Sequence, residues 1–456
     1  LQFVVSNNLK KPDPDLRKVI RSHVMLGKNQ GRILPPRKKK PRSKGIASKV
    51  PKNSFGSYLS GLCLAADDVE PKNLEVVLKM SSIAKQLLFR LEPCILFVRR
   101  AETFIAPLAV DAAYLHSMIF TSEYYFGVLL SKTNSNINAK TLPHLLKTVK
   151  LLRERFTKND PLQLSESTIA AIMALAAHAY WTGDMKSAKH HAAGVCKLVR
   201  LRGGVSSFVG TIKVLVEVLK CDLGITLDCG SKPIFFRDSK VPFPALAPLL
   251  ALRKHDKNLA RPNSLTSLID LDDDLAQVWM VLADFCLLIN FAARTRQRIT
   301  TDIFFESMAS TMYRLFDMSF ELSSRDEAIR LGLLAFAAGT FLHWKLLGKS
   351  YPDFATKLRR CLSQLQSSDL PSDFQLWLVM VGSITVLDAA DNEWAKSLLS
   401  AHIKQSEIRT WTEMRRILQS CMWIDLVFEK PGKAMFEASR PLDDPEVDTA
   451  WISWLL

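Results

Sequence analysis

Apolar positions recur at helical spacing over most of the chain, and the clearest case runs from Ser165 to Gly204. Ile169, Ile172, Met173, Ala176 and Tyr180 fall on one helical face. Ser165 stands where an N-cap is needed. Trp181-Thr182-Gly183-Asp184 then breaks the pattern: Gly183 admits positive φ, and Asp184 can cap the next helix. Met185, Ala188, Ala192, Val195 and Val199 resume it at spacings of three and four, and Gly203-Gly204 ends it. Lys197, Arg200 and Arg202 occupy the last turn, where cations favour the helix dipole. The pattern predicts an αα-hairpin whose alanines and Gly194 allow close approach. His178, His190 and His191 read as satisfied or exposed side chains rather than metal ligands.

The same periodicity predicts helices over Glu70–Leu91, Ala106–Ser131, Leu142–Phe156 and Phe208–Leu223, with a short one over Ser54–Asp67. A second set covers Asp273–Arg298, Asp302–Leu322, Asp326–Leu347, Phe354–Leu365, Ser372–Ala389, Asn392–Lys404 and Thr410–Phe428, several opened by Asp, Ser or Asn. The tail after Pro431 is weak. Between the sets, Ile225–Leu271 holds Pro233, Pro242, Pro244, Pro248 and Pro262 with Phe235, Phe236 and Phe243, which predicts a long connection pinned by its aromatics. No sustained strand-type alternation or fixed-period repeat occurs. The expected fold is all-α, built of antiparallel helical hairpins in two halves, 53–224 and 272–456, flanking the 225–271 connection and preceded by an arm, 1–52.

Charge changes the picture of that arm. Residues 1–52 hold 15 Lys and Arg against two acids, so they carry +13 of the total +16 and leave +3 for the rest. A nearly neutral body with an appended cationic tail is a different object from a basic globule. Pro14 opens a short helix capped by Asp13, with Leu16, Val19, Ile20 and Val24 on one face and Arg17, Lys18 and Arg21 on the other. From Gly27 to Lys52 there is too little apolar surface for order, which predicts disorder. Within it Arg37, Lys38, Lys39, Lys40, Arg42 and Lys44 form the row of cations that an acidic nuclear import receptor reads, and that touches nucleic acid weakly and without sequence preference.

Sites for chemistry are absent from the pattern. The eight cysteines include no Cys-x-x-Cys and sit mostly in apolar runs, as small buried side chains do. No phosphate loop, dinucleotide loop, HExxH or GxSxG occurs. Asp270, Asp272 and Asp274 imitate the start of a calcium loop, but Leu275 and Val281 stand where its glycine and bidentate glutamate belong, so a helix N-terminus is expected. The longest uninterrupted apolar stretches, Leu331–Leu342 and Leu376–Leu387, have 12 residues each, fewer than the about 18–20 a bilayer span needs. The start LQFVV lacks the features of a secretory signal. Catalysis, cofactors, metals and a membrane are not expected.

Three stretches share a likeness. One is Phe3-Val4, Pro14, Arg17 and Ile20-Arg21-Ser22-His23-Val24-Met25. The second is Gly183-Asp184, Ala188, His191, Gly194, Leu198-Val199 and Leu201-Arg202-Gly203-Gly204. The third is Leu376-Trp377, Val381-Gly382, Glu393-Trp394 and Trp423 with Asp425. In order and spacing they resemble the fungal-specific transcription factor domain, in the branch labelled tachykinin-family or zinc-cluster-associated regulators. The resemblance implies an all-α regulatory domain. In such relatives it often comes after a zinc binuclear cluster of six cysteines that places a short helix in the major groove. That cluster is missing here, since the first cysteine is Cys63 and no paired spacing comes after it. The resemblance and the charge together lead to a nuclear transcription-regulator-like protein whose helical body binds protein partners, an effector or a second copy of itself. A helical scaffold or dimerisation module with a basic tail and no DNA role is the alternative, and an enzyme with an unrecognised helical site comes third.

Overall fold

The structure, a computed structural model, describes residues 67, 69–87, 89–96, 104–130, 137–208, 211–236, 241–246, 271–348, 351–365, 370–388 and 391–440. By contacts the chain divides into two units, 1–53 and 54–456, and all described residues belong to the second. The basic arm, the expected helix over Ser54–Asp67 (Asp67 excepted) and the chain after Arg440 lie outside the described residues.

The fold is all-α. Fifteen α-helices form among the described residues. The first seven are α1 (Pro71–Leu87), α2 (Ala106–Val110), α3 (Ala112–Tyr124), α4 (Ile137–Thr157), α5 (Glu166–Trp181), α6 (Met185–Leu201) and α7 (Ile212–Cys229). The rest are α8 (Asp273–Thr295), α9 (Thr301–Asp317), α10 (Arg325–Ala337), α11 (Pro352–Gln364), α12 (Ser372–Thr385), α13 (Asn392–Gln405), α14 (Trp411–Cys421) and α15 (Asp425–Ser439). The strand content among the described residues is one parallel pairing of β1 (Ile95–Leu96) with β2 (Ile299–Thr300).

Caps set many of the boundaries. Ser165, Asp184, Asp272 and Ser324 each accept a backbone N–H three residues on, at 3.0–3.1 Å. Thr410 and Glu413 form a reciprocal capping box at α14. Asp272 therefore serves a helix N-terminus, with Asp273 and Asp274 in the first turn. Gly183, Gly203 and Gly204 take φ of +86°, +114° and +79°, values that L side chains rarely adopt. Gly194 departs from expectation: a Cβ placed there meets nothing within 4 Å, so it does not set the approach of α5 and α6. Buried Ala171, Ala188 and Ala192 lie in the core instead.

Two helices are apolar nearly all round, as central helices are. The helix α7 packs against α5, α6, α9 and α11, and α12 against α10, α13, α14 and α15. The expected connection begins later than Ile225, because α7 runs on to Cys229 and ends at Gly230 with φ +62°. The segment after it is pinned as expected, partly by aromatics: Phe236 meets Tyr313 edge-on at 4.9 Å, and the Arg314 guanidinium lies 3.8 Å over Phe243. Asp222 of α7 adds a tie, accepting from Ile234 N, Phe235 N and Tyr313 Oη. By length and composition the 23-residue α8 could cross a membrane, although its apolar run is interrupted by polar residues. Of its most apolar stretch 61% is buried within the fold, with Trp279 against Phe374 and Trp377.

Other boundaries moved for reasons that lie far away in sequence. The expected helix over Ala106–Ser131 is cut at Asp111, whose backbone is extended (φ −125°, ψ 101°) and whose side chain caps α3. Asp326–Leu347 gives α10 and then a π-turn, broken at His343 with φ +60°. Thr410–Phe428 is two helices, since Met422 O accepts from Trp377 Nε1 at 2.6 Å and Trp423 O from Asn290 Nδ2 at 2.7 Å. The weak tail after Pro431 proves helical to Ser439. Proline supplies no N–H to the carbonyl four residues back, Val427. Arg90 donates to that carbonyl at 2.9 Å.

Candidate functional site

The helix α7 carries an anomaly in its sequence, KVLVEVLKC. Lys213, Glu217 and Lys220 are spaced four and three apart, so they share one face of an otherwise apolar buried helix. That face walls a cavity of about 240 Å³. The other walls are apolar: Val77 and Met80 from α1, Leu108 from α2, Met118 from α3, Met173 and Ala177 from α5. Aromatic rings complete them, among them Phe89, Phe104, Trp181 and Trp344. Trp344 lies against α7 at Gly224, where any Cβ would overlap the indole ring.

The two ammonium groups converge on one ring. Lys213 Nζ lies 4.3 Å and Lys220 Nζ 4.4 Å from the centroid of Phe89, and Lys213 is also 5.0 Å from Phe104. Burial lowers the Lys220 pKa, and the Glu217 carboxylate opposes that shift. The field of Lys220 reaches further: burial first, then the charges of Lys220 and Arg90, hold His343 well below the usual histidine range. His178, in the same cavity wall, meets Phe120 and Tyr124 edge-on and is lowered by burial. Three buried polar atoms of the wall have no hydrogen-bond partner among the described residues: Ser122 Oγ, Tyr125 Oη and Glu217 Oε1.

Two other places hold polar groups together. A recess of about 320 Å³ lies between α9 and the segment after α7, but its Arg314 already donates to Val241 O and Ser310 O, and its Tyr313 to Asp222. On α3 and α4, His116 Nδ1 meets His144 Nδ1 at 2.7 Å and His116 Nε2 meets Asp67 Oδ2 at 3.1 Å. Lys147 also pairs with Asp67. Among the described residues no three His, Cys, Asp or Glu side chains gather as metal ligands would. Six cysteines are buried, and burial pushes the Cys94 thiol up to about 11 and the Cys221 thiol up to about 12.

Of the residues singled out in sequence, Arg17, Lys18, Arg21, Arg37, Lys38, Lys39, Lys40, Arg42 and Lys44 lie outside the described residues. Gly183, Asp184, Gly203 and Gly204 make the turns that bound α6. Arg202, expected to sit on the helix dipole, reaches across to the start of α5, donating to Leu164 O at 2.7 Å and Glu166 Oε1 at 2.8 Å. His191 is half-buried on α6 beside His190 and is lowered by burial. Trp377 and Trp423 are buried in the core, and Gly382 faces Leu358, whose Cδ2 a Cβ would approach to 2.9 Å. Trp394 lies under the Arg359 guanidinium at 5.4 Å. None of these residues lines the cavity. Sequence patterning did not single out the cavity groups, although two lysines and a glutamate on the apolar face of one helix were the available signal.

Comparison with protein-family models, with curated proteins and with solved structures finds no match for the chain in any of the three.

Proposed function

We propose that the protein is a transcription-regulator-like nuclear protein with two parts. An all-α regulatory body of antiparallel helical hairpins binds a partner or effector, and the basic arm carries the body into the nucleus and makes weak, sequence-blind contact with DNA. The observation that carries this reading is the partition of charge, +13 in residues 1–52 against +3 in the remainder. The three-stretch resemblance to fungal-specific transcription factor domains supports it, and the comparisons add nothing to it. Lacking a zinc cluster, the protein draws DNA affinity from phosphate contacts alone, which carry no base readout.

Replacing Arg37, Lys38, Lys39, Lys40 and Arg42 by alanine tests the arm. A fluorescent fusion of the variant is expected to spread evenly between nucleus and cytoplasm, whereas the parent concentrates in the nucleus. Unchanged nuclear accumulation would sink the import role. In a duplex titration the parent is expected to bind at about 50 mM salt and to lose most of that affinity by about 200 mM. No binding at the lower salt would leave the scaffold reading, without a DNA role, in its place.

A further inference from the structure

The α7 cavity is polar on one wall and apolar on the rest. That division is what a site for a small amphipathic ligand requires. Its size sets the ligand's size. An apolar cavity of about 150 Å³ takes benzene, so one of about 240 Å³ has room for on the order of ten non-hydrogen atoms. The aromatic walls select a ring. Two lysines and one glutamate leave the polar wall with a surplus of one positive charge, which selects a single negative charge. Glu217 Oε1 is a buried acceptor with no donor among the described residues, and leaving such an atom unsatisfied is costly. A ligand hydroxyl supplies the donor without adding charge. Ser122 Oγ and Tyr125 Oη, likewise without partners among the described residues, both donate and accept and so complete the set.

We propose that this cavity binds a small aromatic hydroxy acid, its ring among the aromatic walls, its carboxylate toward Lys213 and Lys220, and its hydroxyl donating to Glu217. This site stands whether or not the arm delivers the protein to the nucleus.

Three probes dissect the recognition by titration calorimetry on the full chain. They are 3-phenyllactate, 3-phenylpropionate, which lacks the hydroxyl, and 3-phenyl-1,2-propanediol, which lacks the charge. The hydroxy acid is expected to bind tightest, with the diol weaker by on the order of ten- to a hundredfold and the plain acid by about threefold to tenfold. Lys213→Met and Lys220→Met are each expected to weaken 3-phenyllactate about tenfold while leaving the diol unchanged. Glu217→Leu removes the preference for the hydroxyl and strengthens 3-phenylpropionate. Ala177→Phe fills the cavity and abolishes all binding, and far-UV circular dichroism melts confirm that each variant is folded. If a lysine variant fails to fold, the probe series on the parent and the Ala177→Phe variant still decide. No binding of 3-phenyllactate at millimolar concentration, equal binding of the diol, or unchanged binding by folded Ala177→Phe overturns the proposal.

Discussion

Replacing Asp111 by alanine is expected to cost the body about 3–5 kcal/mol of stability, read from urea unfolding. The carboxylate sits between α2 and α3 with 2% of its side chain exposed, and Arg155, from α4, is 8% exposed. Arg155 Nη2 donates to Oδ1 at 2.8 Å and Nη1 to Oδ2 at 3.0 Å, a two-pronged pair. Ser167 Oγ of α5 donates to Oδ2 at 2.6 Å, and Ala113 N and Tyr114 N donate to Oδ1. One side chain thus caps α3 and ties it to α4 and α5. Removing it leaves a guanidinium buried without its counter-charge. Arg155→Met combined with Asp111→Ala is expected to recover part of the loss, because the stranded charge is then gone. A double variant no more stable than Asp111→Ala would show that capping, not the ion pair, dominates. Burial alone raises the Asp111 pKa, but hydrogen bonds from Arg155 and Ser167, the Arg155 charge and the Tyr114 N–H outweigh it and hold it below its ordinary 3.8. Its contribution is therefore full above that ordinary value and fades as pH falls through the lower folded one.

Glu327→Gln is expected to have a similar cost, about 3–5 kcal/mol, in the second set of helices. Glu327 is 0% exposed. Arg330 donates Nε to Oε2 and Nη2 to Oε1, both at 2.7 Å, and its Nη1 reaches Leu315 O at the end of α9. Lys357 of α11 pairs with Oε1 at 2.8 Å. The glutamate therefore joins α9, α10 and α11, and its amide analogue keeps the shape while stranding Arg330. Burial pushes Glu327 up, yet the hydrogen bonds and charges of Arg330 and Lys357 prevail and the net shift is downward from 4.5. That direction sets the sign of the pH effect. The wild type loses this contribution as pH drops below about 4.5, and the variant has none to lose, so the gap between their unfolding free energies narrows toward acid. A gap that stays constant from pH 7 to about pH 3 would mean the ionised form contributes nothing.

These two networks also show where sequence reading stops. The α5–α6 hairpin was legible because its period, caps and glycines are local: Ser165, Gly183, Asp184 and Gly203-Gly204 act within a few residues of themselves. The interruption at Asp111 was not, because it depends on Arg155, 44 positions away. The break at Met422-Trp423-Ile424 depends on Trp377 and Asn290 in the same way. Pro431 reads as a stop because nothing nearby replaces its missing N–H, and Arg90 comes from 337 positions before Val427 to do so. Of the candidate site, the charged triplet Lys213, Glu217 and Lys220 was visible in the sequence. The cavity it faces was not, because its other walls come from helices scattered between residues 77 and 181 and from Trp344.

The division between a delivering arm and a regulatory body is tested most directly by chromatin occupancy. The tagged chain is compared with a version lacking residues 1–52 and supplied with an unrelated import signal, so that both reach the nucleus. The account predicts that the full chain is enriched on chromatin and that the truncated chain, equally nuclear, loses most of that enrichment. A full chain that enters the nucleus but shows no enrichment over background, or a truncated chain that keeps it undiminished, would contradict the account.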